Sequence, residues 1–176
     1  TRDDAQGYYR CMQENLFVKT NDPAQNINIP NGYAKGPDEE CKRYERILKS
    51  YPTDIICLGI GENTHLAFND PPANFHDENI IKVVELDEAC RQQQVNDGCF
   101  ENIKNVPSHA LTLTLPTLMS GTYLFCVVPG DRKAHAVLKT LTEPINENHP
   151  STKLRHHPNA TLYLDTESSS LLFNNN

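Results

Sequence analysis

The hydrophobic pattern of this chain changes period several times, and each change predicts an element. In "DEECKRYERILKSY", residues 38–51, the apolar positions Cys41, Tyr44, Ile47, Leu48 and Tyr51 recur at helical spacing, which predicts an amphipathic helix with Asp38 as its N-cap. Pro52 ends that pattern, and "DIICLGIG" follows as a continuous apolar run too short for a helix. Such a run predicts a strand buried on both faces of a parallel sheet. Further on, "HALTLTLP" alternates Leu and Thr as a strand does, "PTLMSG" opens a short helix at a proline, and "TYLFCVVPG" reads as a second buried strand. "DRKAHAVLKTLTEP" predicts a helix with Asp131 near its start and Ala134, Val137, Leu138 and Leu141 on one face, and "ATLYLD" a last short strand. Strands alternating with helices predict an α/β fold, a doubly wound, mostly parallel sheet.

Composition narrows the class. The 176 residues, 38% of them hydrophobic, suit a single domain over 1–176, with no linker to split it and a polar end, 174–176, expected to be a disordered tail. A formal charge of −7 argues against nucleic acid or an anionic membrane as partner, since both need clustered Lys and Arg. No apolar run is long enough to span a membrane, and "TRDDAQGYYR" lacks the build of a signal peptide, so a cytoplasmic location is expected. The six cysteines show no C-x-x-C pair, and Cys57 and Cys126 lie in apolar runs, as ordinary core residues do.

Chemistry concentrates in "LGIGENTHLAFNDPP", residues 58–72, where an apolar run gives way to Glu62, Asn63, His65, Asn69 and Asp70. Ligands of open parallel sheets bind beyond the carboxyl ends of the strands, which is where this loop falls. His65 can take and give a proton near neutral pH, Asp70 can hold its ring in one tautomer if the loop folds back, and Asn63 can hydrogen-bond without charge. Turn-forming Asn and Asp around a loop histidine explain the same residues equally well. A metal site of His65, Asp70, His76 and Asp77 is disfavoured, because their spacing fits no regular element. Lys133, with Arg132, places positive charge in the first turn of a helix whose N-terminus is already electropositive; a bound phosphate would reverse that penalty, while a solvated lysine beside Asp131 is the plain alternative.

These stretches resemble a known family. "GIGENTHLAFNDPP" is similar to the signature G-x-G-x-D-G-H-x-A-F-N-E-P of the glucosamine-6-phosphate deaminase/isomerase family, and "YYRCMQENLF", "NINIPNG", "ECKRYERILKSY", "VPSHALTLTLPTL", "VVPGDRKAHAV" and "HPNATLYLD" resemble its other stretches in the same order. The resemblance implies a Rossmann-like three-layer sandwich. It also implies a deaminating isomerase of amino-sugar catabolism that converts glucosamine 6-phosphate to fructose 6-phosphate and ammonia, with no cofactor and no metal. His65 then takes the place of the ring-opening histidine, Asp70 that of the acid which orients it, and Asn63 joins them as the third catalytic position. Lys133 falls on the phosphate-binding lysine, and Gly59, Gly61 and Thr64 join it as expected substrate-binding positions. The chain departs from the signature at Asn63, for aspartate, and at Thr64, for glycine. The family opens with a strand and a Gly-rich phosphate loop that would lie upstream of Thr1, so a chain lacking the family's front portion is expected. The implied partner is a small sugar phosphate, and assembly into a homo-oligomer is compatible with the pattern. Two other readings stand beside this one, a 6-phosphogluconolactonase-like hydrolase and a non-catalytic sugar-phosphate sensor, although "AFNDP" favours the deaminase.

Overall fold

A computed structural model describes residues 8–21, 23–96, 98 and 100–173. The element order is α1 (Tyr8–Asn15), α2 (Pro37–Ser50), β1 (Ile55–Leu58), β2 (Ile81–Glu85), α3 (Glu88–Asn96), β3 (His109–Leu113), α4 (Leu115–Leu118), β4 (Tyr123–Val128), α5 (Ala134–Thr142) and β5 (Ala160–Leu164), with short 3-10 turns between some of them. The tail at 174–176 lies outside the described residues.

α2 starts two residues earlier than an N-cap at Asp38 predicts. Pro37 has its φ already set for a first helical position and loses no useful N–H there, so the helix begins at Pro37. Asp38 is therefore inside the first turn and not the N-cap; with Glu39 and Glu40 it puts three acids against the positive end of the helix dipole.

The main sheet has three parallel strands in the order β1-β4-β5, with Leu58 beside Cys126 and Cys126 beside Leu162. The α/β class and the parallel sheet are as the alternation of elements predicts. The expectation that β1 and β4 are buried on both faces is not met. Ile56, Leu58, Leu124, Cys126, Val128, Leu162 and Leu164 face a core completed by Leu115 and Leu118 of α4, by Ala136 and Val137 of α5, and by Leu154. Their neighbours point the other way, and Ile55, Tyr123, Val127 and Tyr163 are 56%, 49%, 54% and 49% exposed. Cys57 shares that exposed face, which corrects its reading as a core residue, whereas Cys126 is buried. The reason is the two-residue period of a strand: an apolar run supplies apolar groups to both faces, but among the described residues packing elements cover only one of them. Each fully covered large side chain, such as Leu124 at 0% exposure, contributes about 1.5–3 kcal/mol. β2, which the pattern does not single out, pairs with β3 in a separate two-stranded sheet.

The chain forms two compact units, one from Thr1–Cys41 and Val83–Leu111, the other from Lys42–Lys82 and Thr112–Asn176. The boundaries fall inside α2, β2 and β3, so no linker marks them in the sequence. In the first unit Asp87 accepts from Cys90 N at the start of α3, and Arg91 Nη2 donates to Ile103 O and Val106 O at 2.8 and 3.1 Å, tying that helix to the following turn. The second unit holds the three-stranded sheet and the loops at its carboxyl end.

Candidate functional site

Two apolar anchors fix the loop that follows β1. Ile60 is 3% exposed and Leu66 is fully buried, so the segment between them is drawn into a tight bend. Gly61 N donates to His65 O at 3.0 Å, and Thr64 N donates to Gly61 O at 2.9 Å. Asn69, itself buried, donates through Nδ2 to Leu66 O and to Leu113 O at 2.9 and 2.8 Å, and Phe68 N donates to Thr112 Oγ1. The loop is thereby stitched to the end of β3 on its far side.

Glycine is needed at position 61, because a Cβ there would fall on the His65 ring. At Gly59 a Cβ would lie 3.4 Å from Val127 O, so the chain leaves β1 close against β4. Thr64 has φ 75°, a left-handed conformation unfavourable for a β-branched residue. Its burial and the bond from Ser151 N to Thr64 O at 2.9 Å hold it there, while its hydroxyl is buried with no hydrogen-bond partner among the described residues.

Asp70 Oδ1 is where the polar groups meet. It accepts from Asn63 Nδ2 at 2.9 Å and lies 3.1 Å from His65 Nδ1. Asn63 Oδ1 in turn accepts from the His65 backbone N at 3.1 Å, so one amide grips both the carboxylate and the histidine. No hydrogen bond joins His65 Nδ1 to Asp70 in this geometry, although the two atoms are near enough for one to form on a small rotation of the ring. His65 is 7% exposed. The Asp70 carboxylate stands on the Nδ1 side of the ring, and Nε2 is the nitrogen away from it.

The turn after β4 supplies the positive side. Gly130 has φ 93°, and its N–H donates to Asp165 Oδ2 at 2.8 Å, clamping the carboxyl ends of β4 and β5 together. Hydrogen bonds from Ser168, backbone first and then hydroxyl, with that from Gly130, hold the Asp165 carboxyl below its ordinary pKa. Lys133 closes the 3-10 turn Asp131–Lys133 at the start of α5; it is half-buried and forms no ion pair among the described residues. Its neighbour Arg132 places Nη1 3.5 Å from Glu62 Oε1, linking this turn to the loop that carries His65.

Asn63, His65 and Asp70 are thus brought into mutual contact, with Gly61 against His65, Thr64 and Gly59 in the same loop, and Lys133 on the neighbouring turn. The anchoring by Asn69, the Glu62–Arg132 link and the Asp165 clamp escape sequence reasoning. Asn69 and Glu62 stand in the quoted loop, but nothing in the spacing indicates their distant partners.

The family described as glucosamine-6-phosphate isomerases/6-phosphogluconolactonase matches residues 1–163. The chain belongs to that family. Among glucosamine-6-phosphate isomerase/6-phosphogluconolactonase relatives, the glucosamine-6-phosphate deaminase of Bacillus cereus (strain B4264) is 40% identical over 169 residues, covering 96% of this chain and 62% of the relative. That of Bacillus thuringiensis (strain Al Hakam) matches with the same identity and coverage, so the chain spans 62% of the length of these relatives. A solved monomeric glucosamine-6-phosphate deaminase superposes with a TM-score of 0.90 at 35% identity, over 97% of this chain and 70% of that one. The 6-phosphogluconolactonase of Thermotoga maritima, with a TM-score of 0.71 and 19% identity, shares the fold. Among the described residues of this family member, no helix is long and apolar enough to cross a membrane.

Proposed function

We propose that the protein converts a hexosamine 6-phosphate, glucosamine 6-phosphate first among them, together with one water, to fructose 6-phosphate and ammonia. The observation that carries this reading is the convergence of Asn63 Nδ2 and His65 Nδ1 on Asp70 Oδ1, in a loop beyond the carboxyl end of a parallel sheet. In this reading His65 opens the sugar ring. It takes the proton of the C1 hydroxyl and delivers one to the ring oxygen as the C1–O5 bond breaks and C1 becomes a carbonyl. Asp70 stabilises the imidazolium formed in between, and Asn63 keeps that carboxylate in place through its amide. Lys133 and the backbone N–H groups that open α5 hold the 6-phosphate, while Gly59, Gly61 and Thr64 let the loop backbone come close to the sugar. A cytoplasmic enzyme that needs no cofactor is the setting this implies.

Ammonia release coupled to glutamate dehydrogenase tests the proposal, on the protein as expressed from its own reading frame. Steady release with glucosamine 6-phosphate, reduced by about 10² to 10⁴ in His65→Ala, is the expected result. No release from any hexosamine 6-phosphate overturns it.

A further inference from the structure

We propose that Asp165 is a positioning residue for substrate binding: through Gly130 it fixes the turn that presents Lys133 to the 6-phosphate. This rests on the reading of Lys133 as a phosphate ligand given above. The geometry is a relay of two hydrogen bonds through one residue. Gly130 N donates to Asp165 Oδ2 at 2.8 Å, and on the other side of the same residue Lys133 N donates to Gly130 O at 3.1 Å. Ala134 N donates to Asp131 O, so the turn passes directly into α5.

The relay starts from a firm base. Val128 pairs with Leu164 at the carboxyl ends of β4 and β5, which brings together the residues just beyond them, Gly130 and Asp165. Asp165 Oδ1 accepts from Ser168 N at 2.8 Å, and Asp165 N donates to Oγ of the fully buried Ser168 at 3.2 Å. The two carboxylate oxygens thus serve different segments, one its own turn and the other Gly130. The far end needs such a hold. At φ 93° Gly130 stands in a region that only glycine enters freely and that glycine also leaves freely, so the residue does not fix the turn by itself. Lys133 forms no ion pair among the described residues, so its place is set by the backbone that carries it. A lysine held in place before the phosphate arrives loses less freedom on binding, and its charge-assisted bond weakens if the turn shifts.

A clamp that only ties β4 to β5 lowers stability when it is cut and leaves the Michaelis constant of the folded protein alone. A clamp that positions Lys133 does more. In steady-state kinetics with glucosamine 6-phosphate, on the protein expressed from its own reading frame, Asp165→Ala should raise the Michaelis constant roughly tenfold with kcat nearly unchanged. Asp165→Asn keeps one oxygen to accept from Gly130 N and should raise it roughly threefold. Inhibition by inorganic phosphate should weaken in parallel. In a Lys133→Ala background both effects should shrink below about twofold, because the turn then has no lysine to present. Thermal melts confirm that each variant is folded, and if Asp165→Ala is not, Asp165→Asn carries the same cycle at smaller amplitude. A Michaelis constant unchanged in the Asp165 variants, a fall in kcat at constant KM, or a rise that persists undiminished in the Lys133→Ala background overturns the proposal. So does a Lys133→Ala variant that behaves as wild type, since it removes the ligand to be positioned. No turnover by the wild-type protein overturns the proposed function, and this inference with it; a Michaelis constant that rises in Lys133→Ala but not in the Asp165 variants overturns this inference alone.

Discussion

The imidazole of His65 occupies the space in which a side chain on Gly61 would have to begin, and the same two residues are joined along the backbone by Gly61 N donating to His65 O at 3.0 Å. The glycine is therefore a geometric condition for the position of the ring. Gly61→Ala should displace the ring from Asp70. Turnover should fall by about 10² or more, as for loss of a positioned proton-transfer group, against a stability loss of about 1–3 kcal/mol from overpacking. Ammonia release and a denaturant titration on the same sample separate the two effects; unchanged turnover would mean that the ring position is not used.

Asn63→Asp tests the amide. It removes the donor to Asp70 Oδ1 at 2.9 Å and sets two carboxylates against each other next to an imidazole. Two carboxylates in contact bind a proton more readily than one, and together they favour the charged form of a neighbouring base. The pH–rate profile should move upward. A profile that superposes on that of the wild type would show that position 63 does not sense the charge of the pair.

Lys133→Ala should raise the Michaelis constant by roughly tenfold and leave kcat nearly unchanged, since a phosphate contact made in both ground and transition states contributes uniform binding. A fall in kcat at constant KM would place the lysine near the reacting carbons instead.

Asp165 provides an acid-dependent clamp. Its carboxyl is held below the ordinary value by hydrogen bonds from Ser168 and Gly130, so its folded pKa lies under its unfolded pKa of about 4. The stabilisation is then fully present above about pH 4 and is lost as the pH falls through the folded value. Asp165→Asn should flatten that acid limb in urea midpoints measured between about pH 2 and pH 5. An unchanged slope would locate the acid sensitivity elsewhere.

The two faces of the main sheet should be distinguishable by thiol chemistry. Cys57 lies on the exposed face, while Cys126 lies on the covered one, where burial pushes its pKa up to about 12. A thiol-disulfide reagent at neutral pH should label Cys57 in the folded protein and reach Cys126 after unfolding. Cys57→Ser should remove one fast-reacting thiol, counted by mass. Fast labelling of Cys126 under native conditions would contradict the packing of that face.

Period, turn residues and local spacing determined a good deal of this by themselves. They announce α2, β1, β3, β4, α5 and β5, because each of these is marked by a pattern of apolar and polar residues within one short stretch. They also place Asn63, His65 and Asp70 within one short loop, near enough that a single bend brings them together. Other features were decided by tertiary structure. The runs of β1 and β4 are apolar on both sides, and which face stays exposed depends on where α4 and α5 pack. The pairing of Glu62 with Arg132, the clamp of Asp165 on Gly130 and the anchoring of Asn69 to Leu113 join residues far apart in the chain. The first two of those contacts follow from the strand order β1-β4-β5, which sets the turns after its strands side by side, and the third joins the β1 loop to β3, a strand outside that sheet; local periodicity carries no information about which strands are neighbours.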